Sequence, residues 1–247
     1  MKAFLIAFAV IVVASLGTIA AFSLNRSAAK SEITHETRTA TGFHRIEIAG
    51  AVDVTLVQGA AEGVSVVAPA STRVRTDVQD GTLVVDTEDR RHVWPWFPGR
   101  GAGQTPRVTI NLREVDYLEA AGAVKLVADS LRSANLRLDL SGACSFTVRD
   151  LQATTLKLEG SGATKINIAG KVTRQDVDLS GAGSYQAGNL TSDEASVEVS
   201  GAGKALVNAR NSLTVDISGA GKVDYFGDPK IKQTISGIGK VTRREAS

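Results

Sequence analysis

Ser180-Gly181-Ala182-Gly183, Ser200-Gly201-Ala202-Gly203 and Ser218-Gly219-Ala220-Gly221 are three copies of one tetrapeptide. Ser141-Gly142-Ala143-Cys144, Ser161-Gly162-Ala163-Thr164 and Ser236-Gly237-Ile238-Gly239 are looser copies, and Ala121-Gly122-Ala123-Val124 and Ala49-Gly50-Ala51-Val52 add two more. From Gly122 onward the first glycines are 20, 20, 19, 20, 18 and 18 residues apart. A fixed period near twenty marks a solenoid, each rung of which buries its apolar face only against its neighbours.

The flanks define the rung. Leu136, Leu138, Leu140, Cys144, Phe146 and Val148 all share one parity, as do Leu213, Val215, Ile217, Val223 and Tyr225. An apolar period of two that continues across the glycines means strand, bend, strand with one face inward. The segments are rich in Val, Ile, Thr and Leu, which suits strands. The expected fold is therefore all-β: a β-solenoid of parallel strands with about 18–20 residues per rung, and an N-terminal apolar targeting helix before it. The bends fall at Gly50, Gly122, Gly142, Gly162, Gly181, Gly201, Gly219 and Gly237. Both glycines of each copy are expected on the inward face, where a Cβ would not fit the bend. Leu131, Leu151 and Leu190, nine residues after a first glycine, are expected to plug the second corner.

Parallel stacking turns the sequence into columns. Three residues before the first glycine stand Glu47, Glu119, Asp139, Glu159, Asp178, Glu198, Asp216 and Thr234. Three residues after it stand Asp53, Lys125, Ser145, Lys165, Ser184, Lys204, Lys222 and Lys240. Like charges stacked this way repel, so the columns call for an explanation. One is solubility and protection against side-by-side association, softened by neighbours such as Arg137 and Lys157. The other is a ligand: the Lys column Lys125, Lys165, Lys204, Lys222 and Lys240 as a track for an anionic polymer, the carboxylates as a cation site. The Gly-Gly-x-Gly-x-Asp repeat of calcium-binding β-rolls is missing, so no metal is assigned.

The chain has 247 residues and a formal net charge of +2, which gives no general argument for nucleic acid. Residues 1–24 read as a targeting segment: Lys2 starts it, and Ala3 to Leu24 carries no charge. It fits a cleaved signal peptide or a retained membrane anchor, and in either case the remainder is exported. The membrane is otherwise not engaged. Residues 25–41 are polar and read as a flexible linker, and 42–243 as the solenoid. Residues 64–67, 74–78 and 83–86 read as less regular strands that close one end. Residues 89–106 interrupt the pattern with both tryptophans and three of the five prolines. Trp94, Trp96 and Phe97 form either an aromatic contact loop or a lid folded over the solenoid end. Cys144, the one cysteine, has no partner for an intrachain disulfide and reads as a small buried thiol.

Catalytic signatures are not found. Gly-Lys at 203–204, 221–222 and 239–240 lacks the Ser or Thr and the upstream glycine of a phosphate loop. Gly99-x-Gly101-x-Gly103 is not a dinucleotide fingerprint, because no strand-helix-strand unit surrounds it. His35, His44 and His92 form no metal-ligand set. Acids projecting from one sheet are a feature of polysaccharide-acting β-helices, but here they recur once per rung, whereas a catalytic site interrupts a repeat.

The run Leu213-Thr-Val-Asp-Ile-Ser-Gly-Ala-Gly-Lys-Val-Asp-Tyr-Phe-Gly-Asp-Pro229, then Ile235-Ser-Gly-Ile-Gly-Lys-Val241, resembles the putative auto-transporter adhesin head, GIN domain family, a domain of unknown function. The opening Phe43-x-x-Ile-x-Ile-x-Gly-Ala-Val-Asp-Val-Thr-Leu-x-Gln-Gly59 is similar to that family too, so the resemblance spans about residues 42–243. It implies a right-handed β-helix in an exported bacterial envelope protein, periplasmic or on the cell surface, with no catalytic residues and no cofactor. The expected function is a non-catalytic adhesin-like or ligand-binding module whose partner is an envelope or host polysaccharide or a surface protein. A structural, self-associating envelope protein and a polysaccharide-acting enzyme are the alternatives.

Overall fold

The computed structural model of the protein describes residues 33–89 and 104–245. The described residues form strands joined by turns, bends and short irregular segments, with no helix among them. The targeting helix expected within residues 1–24, and Trp94, Trp96 and Phe97, lie outside the described residues.

The regular solenoid runs from β7 (Tyr117–Gly142) through β8 (Ser145–Gly162), β9 (Lys165–Gly181), β10 (Ser184–Gly201) and β11 (Lys204–Gly219). It ends in a rung made of β12 (Lys222–Phe226) and β13 (Lys230–Gly237), and β14 (Lys240–Arg243) begins a further one stacked on β12. Successive members pair in parallel, and the glycines register one on the next: Gly142 with Gly162, then Gly181, Gly201, Gly219 and Gly237. Six turns thus separate Gly122 from Gly237, matching the six sequence spacings.

Burial follows the period of two. Leu136, Leu138, Phe146, Leu156, Leu158, Val177, Leu179, Val199 and Ile217 are all buried, facing the core. Leu131, Leu151 and Leu190 are fully buried at the second corner, as expected from their spacing. Cys144 is buried, and its thiol donates to the Ser141 carbonyl at 3.1 Å. Burial raises its pKa, which leaves it an inert thiol.

One expectation is overturned at the glycines. Only the second glycine of each copy faces inward: Gly183, Gly203 and Gly221 are buried. The first glycines, such as Gly142, Gly162, Gly181 and Gly201, are exposed and have positive φ. The alternation keeps its parity on both sides of the corner but skips one inward position there, because the chain turns through a left-handed residue. What excludes a side chain is the rung below rather than the core. A Cβ on Gly142 would lie 2.7 Å from the Gly122 carbonyl oxygen, and one on Gly201 2.7 Å from that of Gly181. Those carbonyls accept hydrogen bonds from the next rung: Ala143 N–H donates to Gly122 O at 2.8 Å, and Ala202 N–H to Gly181 O at 2.9 Å. The corner is a backbone ladder, closed to Cβ atoms.

The N-terminal end is built differently. β2 (Arg45–Gln58) lies against β7, with Gly50 on Gly122. On its other edge it carries β5 (Thr82–Asp89) and β6 (Arg107–Leu112), both parallel. β4 (Thr72–Gln79) then pairs antiparallel with β5, and β3 (Gly63–Pro69) antiparallel with β6. Residues 33–38, expected in a flexible linker, instead form β1 (Ile33–Arg38), antiparallel to β3. Apart from Ile33 their sequence is polar on both faces, so no apolar alternation marks a strand. The exposed edge of β3 supplies the backbone partners. These strands leave Leu83, Val85, Val108 and Ile110 fully covered.

Candidate functional site: two charge columns beside one corner

The expected columns exist. Glu47 registers with Glu119, and Asp139, Glu159, Asp178, Glu198, Asp216 and Thr234 follow in one line. Asp53, Lys125, Ser145, Lys165, Ser184, Lys204, Lys222 and Lys240 form the second line. Between them runs the exposed corner of Ala143, Ala163, Ala182, Ala202 and Ala220. Successive rungs lie about 4.8 Å apart, so an unbroken lysine line would be strongly repulsive. Ser145 and Ser184 relieve it by separating Lys125, Lys165 and Lys204 to alternate rungs, about 9.6 Å apart.

The two columns differ in how far they are neutralised. At the acidic column's N-terminal half, the Tyr117 hydroxyl lies 2.9 Å from Glu119 Oε2 and 2.8 Å from Asp139 Oδ2. Its ring is covered by the Arg45 guanidinium at 4.5 Å. Burial, then the hydrogen bonds to Asp139 and Glu119, push the Tyr117 phenol up, so it stays protonated as a donor. Arg137 bridges Asp139 and Glu159, at 3.2 and 3.3 Å. Lys157, 3.0 Å from Glu159, holds that carboxyl below its usual range, and Arg137 adds to this. Asp178, Glu198 and Asp216 are exposed, with no ion pair among the described residues. No three His, Cys, Asp or Glu side chains among the described residues converge to hold a metal ion.

In the lysine column, Lys125, Lys165 and Lys204 are exposed and have no carboxylate partner among the described residues. Lys222 differs from the others. Its ammonium lies 2.9 Å from Asp224, which Arg244 also reaches at 2.8 Å. Its charge is therefore mostly spent within the chain, and sequence spacing alone could not show this. Asp224 is largely buried, which by itself raises its pKa, but the hydrogen bonds from Arg244 and Lys222 outweigh burial and lower it. A carboxyl depressed in the folded state stabilises above its unfolded value of about 3.9, and that contribution is lost as pH falls through the folded value. Protection of the amides of residues 222–244, taken relative to the intrinsic exchange rate at each pH, is expected to fall below about pH 4, and Asp224→Asn to remove that step.

The roots of the aromatic insertion lie at the same corner. Thr87 Oγ1 accepts a 2.9 Å hydrogen bond from Ala51 N–H, and Asp53 N–H donates to Pro106 O at 3.0 Å. Thr87 and Pro106 thus lie on either side of the place where the other rungs carry their glycine corner.

Structures of known proteins share this fold. The chain is similar to a putative adhesin from Bacteroides fragilis NCTC 9343, at 18% identity over 87% of this chain and 98% of that one, with a TM-score of 0.77. It is similar to a putative lipid binding protein from Parabacteroides distasonis ATCC 8503, at 16% identity over 87% and 98%, TM-score 0.67. A putative adhesin from Parabacteroides merdae ATCC 43184 gives 19% over 87% and 98%, TM-score 0.66. Identities this low carry the fold and not the ligand. No curated protein matches the chain. The family described as putative auto-transporter adhesin, head GIN domain, matches residues 42–229, from just before β2 to the turn before β13. The chain belongs to that family.

Proposed function

We propose that the protein is an exported, non-catalytic adhesin-like module of the bacterial envelope that holds an anionic polymer along its lysine column. The observation that carries this is the in-register line of Lys125, Lys165 and Lys204, exposed and without carboxylate partners among the described residues. A column of free ammonium groups at a regular rise attracts a chain of regularly spaced anions, and the flat corner of small residues beside it lets that chain approach. An acidic polysaccharide of the envelope or of a host surface fits this chemistry. Trp94, Trp96 and Phe97, on an insertion rooted at the same corner, add aromatic contact to sugar rings. Residues 1–24 deliver the chain across the membrane as a signal or hold it there as an anchor, and the solenoid is a right-handed β-helix.

The test is binding of a polyuronate to the full-length chain and to a K125E/K165E/K204E variant. The variant is expected to fold normally and to bind at least ~10-fold more weakly, about 1.4 kcal/mol, with a shallower salt dependence. Equal binding by parent and variant, or none by the parent at low salt, defeats the proposal.

A further inference from the structure

The two ends of the solenoid are finished differently. At the N-terminal end the antiparallel strands β3 and β4 leave the core beneath them covered. At the C-terminal end β13 pairs only with β11, and all eight of its residues are exposed. Ile231 and Ile235 continue the inward columns of Leu213 and Ile217, yet they are 41% and 39% exposed where the residues above them are 0%. Ile238, at the next corner, is 88% exposed. Among the described residues β14 is also unpaired on its outer edge, but it is four residues long; the eight-residue β13 is the longer open edge, with Ile231, Gln233 and Ile235 on its inward side.

Charge selects what can pair with that edge. Lys230 and Lys232 project from the outward side of β13, and neither has an ion pair among the described residues. Arg243 and Arg244 nearby are already tied, to Asp228 at 3.0 Å and Asp224 at 2.8 Å. A second copy's own β13 would bring the same lysines against these. The edge strands at the other end of a second copy, β1 and β4, carry Arg38, Arg73 and Arg75 against Glu36 and Asp77, and supply no acidic strand. Residues 25–32 hold Arg26 and Lys30 against Glu32, which is no better. Lysine on an edge guards against pairing with a like edge. It favours a strand whose outward residues are acidic, since opposite charges directly across a strand pair are stabilising.

We propose that the β13 edge accepts an extended segment of a partner protein in which acidic and aliphatic residues alternate. That strand continues the solenoid by one layer, its backbone pairing with residues 230–237, its aliphatic side chains covering Ile231 and Ile235, its carboxylates meeting Lys230 and Lys232. This site lies at the chain's C-terminal rung and does not depend on the lysine column.

The probe is a blocked heptapeptide of alternating Glu and Val, added to the full-length chain, with the Lys-Val peptide as control. Hydrogen exchange is expected to slow at the amides of residues 231–236 with the Glu-Val peptide and not with the Lys-Val one. K230E/K232E, two exposed changes, is expected to weaken the Glu-Val peptide at least 10-fold and to admit the Lys-Val peptide instead. K165E/K204E is expected to leave both results unchanged, which separates this edge from the polymer track. Absence of protection at β13 up to the peptide's solubility limit overturns the proposal. So does equal binding by K230E/K232E, or concentration-dependent protection of β13 without any peptide, which would mean that a second copy occupies the edge.

Discussion

Gly142→Val is expected to unfold the central rungs, at a cost of about 4 kcal/mol or more. Gly142 has φ +89° and sits at an exposed corner, so by burial alone it looks replaceable. A β-branched residue resists that backbone conformation, and its Cβ would press on the Gly122 carbonyl oxygen, 2.7 Å away. That oxygen is backbone, already accepting from Ala143 N–H at 2.8 Å, so it cannot turn aside without opening the ladder. In a solenoid, stability is close to a sum over neighbouring interfaces, and a central corner touches two of them. Ala143→Val, one residue on and exposed, is expected to change stability by less than about 0.5 kcal/mol. Urea denaturation of both variants gives the comparison. Equal midpoints would show that corner stacking does not set the register.

Tyr185→Ala carries the second large loss, about 4 kcal/mol. Tyr185 is fully buried, and its hydroxyl donates to Gln175 Oε1 at 2.9 Å. Gln175, also fully buried, donates to Ser192 Oγ at 2.8 Å, and Ser192 donates to the Asn208 carbonyl at 2.9 Å. The chain of bonds links three consecutive rungs through the core. Alanine at 185 removes the ring volume and also strands the Gln175 oxygen away from water. Tyr185→Phe separates the two effects. It keeps the ring and is expected to cost only the stranded acceptor, about 1–3 kcal/mol. A Tyr185→Phe variant as stable as the parent would mean that the buried glutamine finds another donor. Burial drives the Tyr185 phenol far up, so no pH dependence of this contact is expected in the working range.

This buried chain was not found from the sequence, although a signal for it existed. Gln175 stands at the parity of Val177 and Leu179, where the columns on either side hold Leu156 and Ala195. A polar residue in an apolar column announces a partner, but its identity depends on which side chains the coil brings across the core. Tyr117 is a similar case: two residues from Glu119, it is joined by the turn to Asp139, twenty-two residues away. The pairing of Lys222 with Asp224 and Arg244 likewise needed the last rung to be closed.

The local pattern alone determined what repeats. A period of two sets the strands, a period near twenty sets the rung, and together they place each charge in its column, because parallel stacking converts sequence spacing directly into neighbours. The tertiary structure decided what does not repeat. It showed that β5 and β6 lie on the far edge of β2, ahead of it in space though later in the chain. It made a strand of residues 33–38 by offering them an open edge, and it turned the first glycines outward because the rung below leaves no room for a side chain. Such features arise where elements distant in sequence compete for one edge or one gap, and periodicity carries no information about that competition.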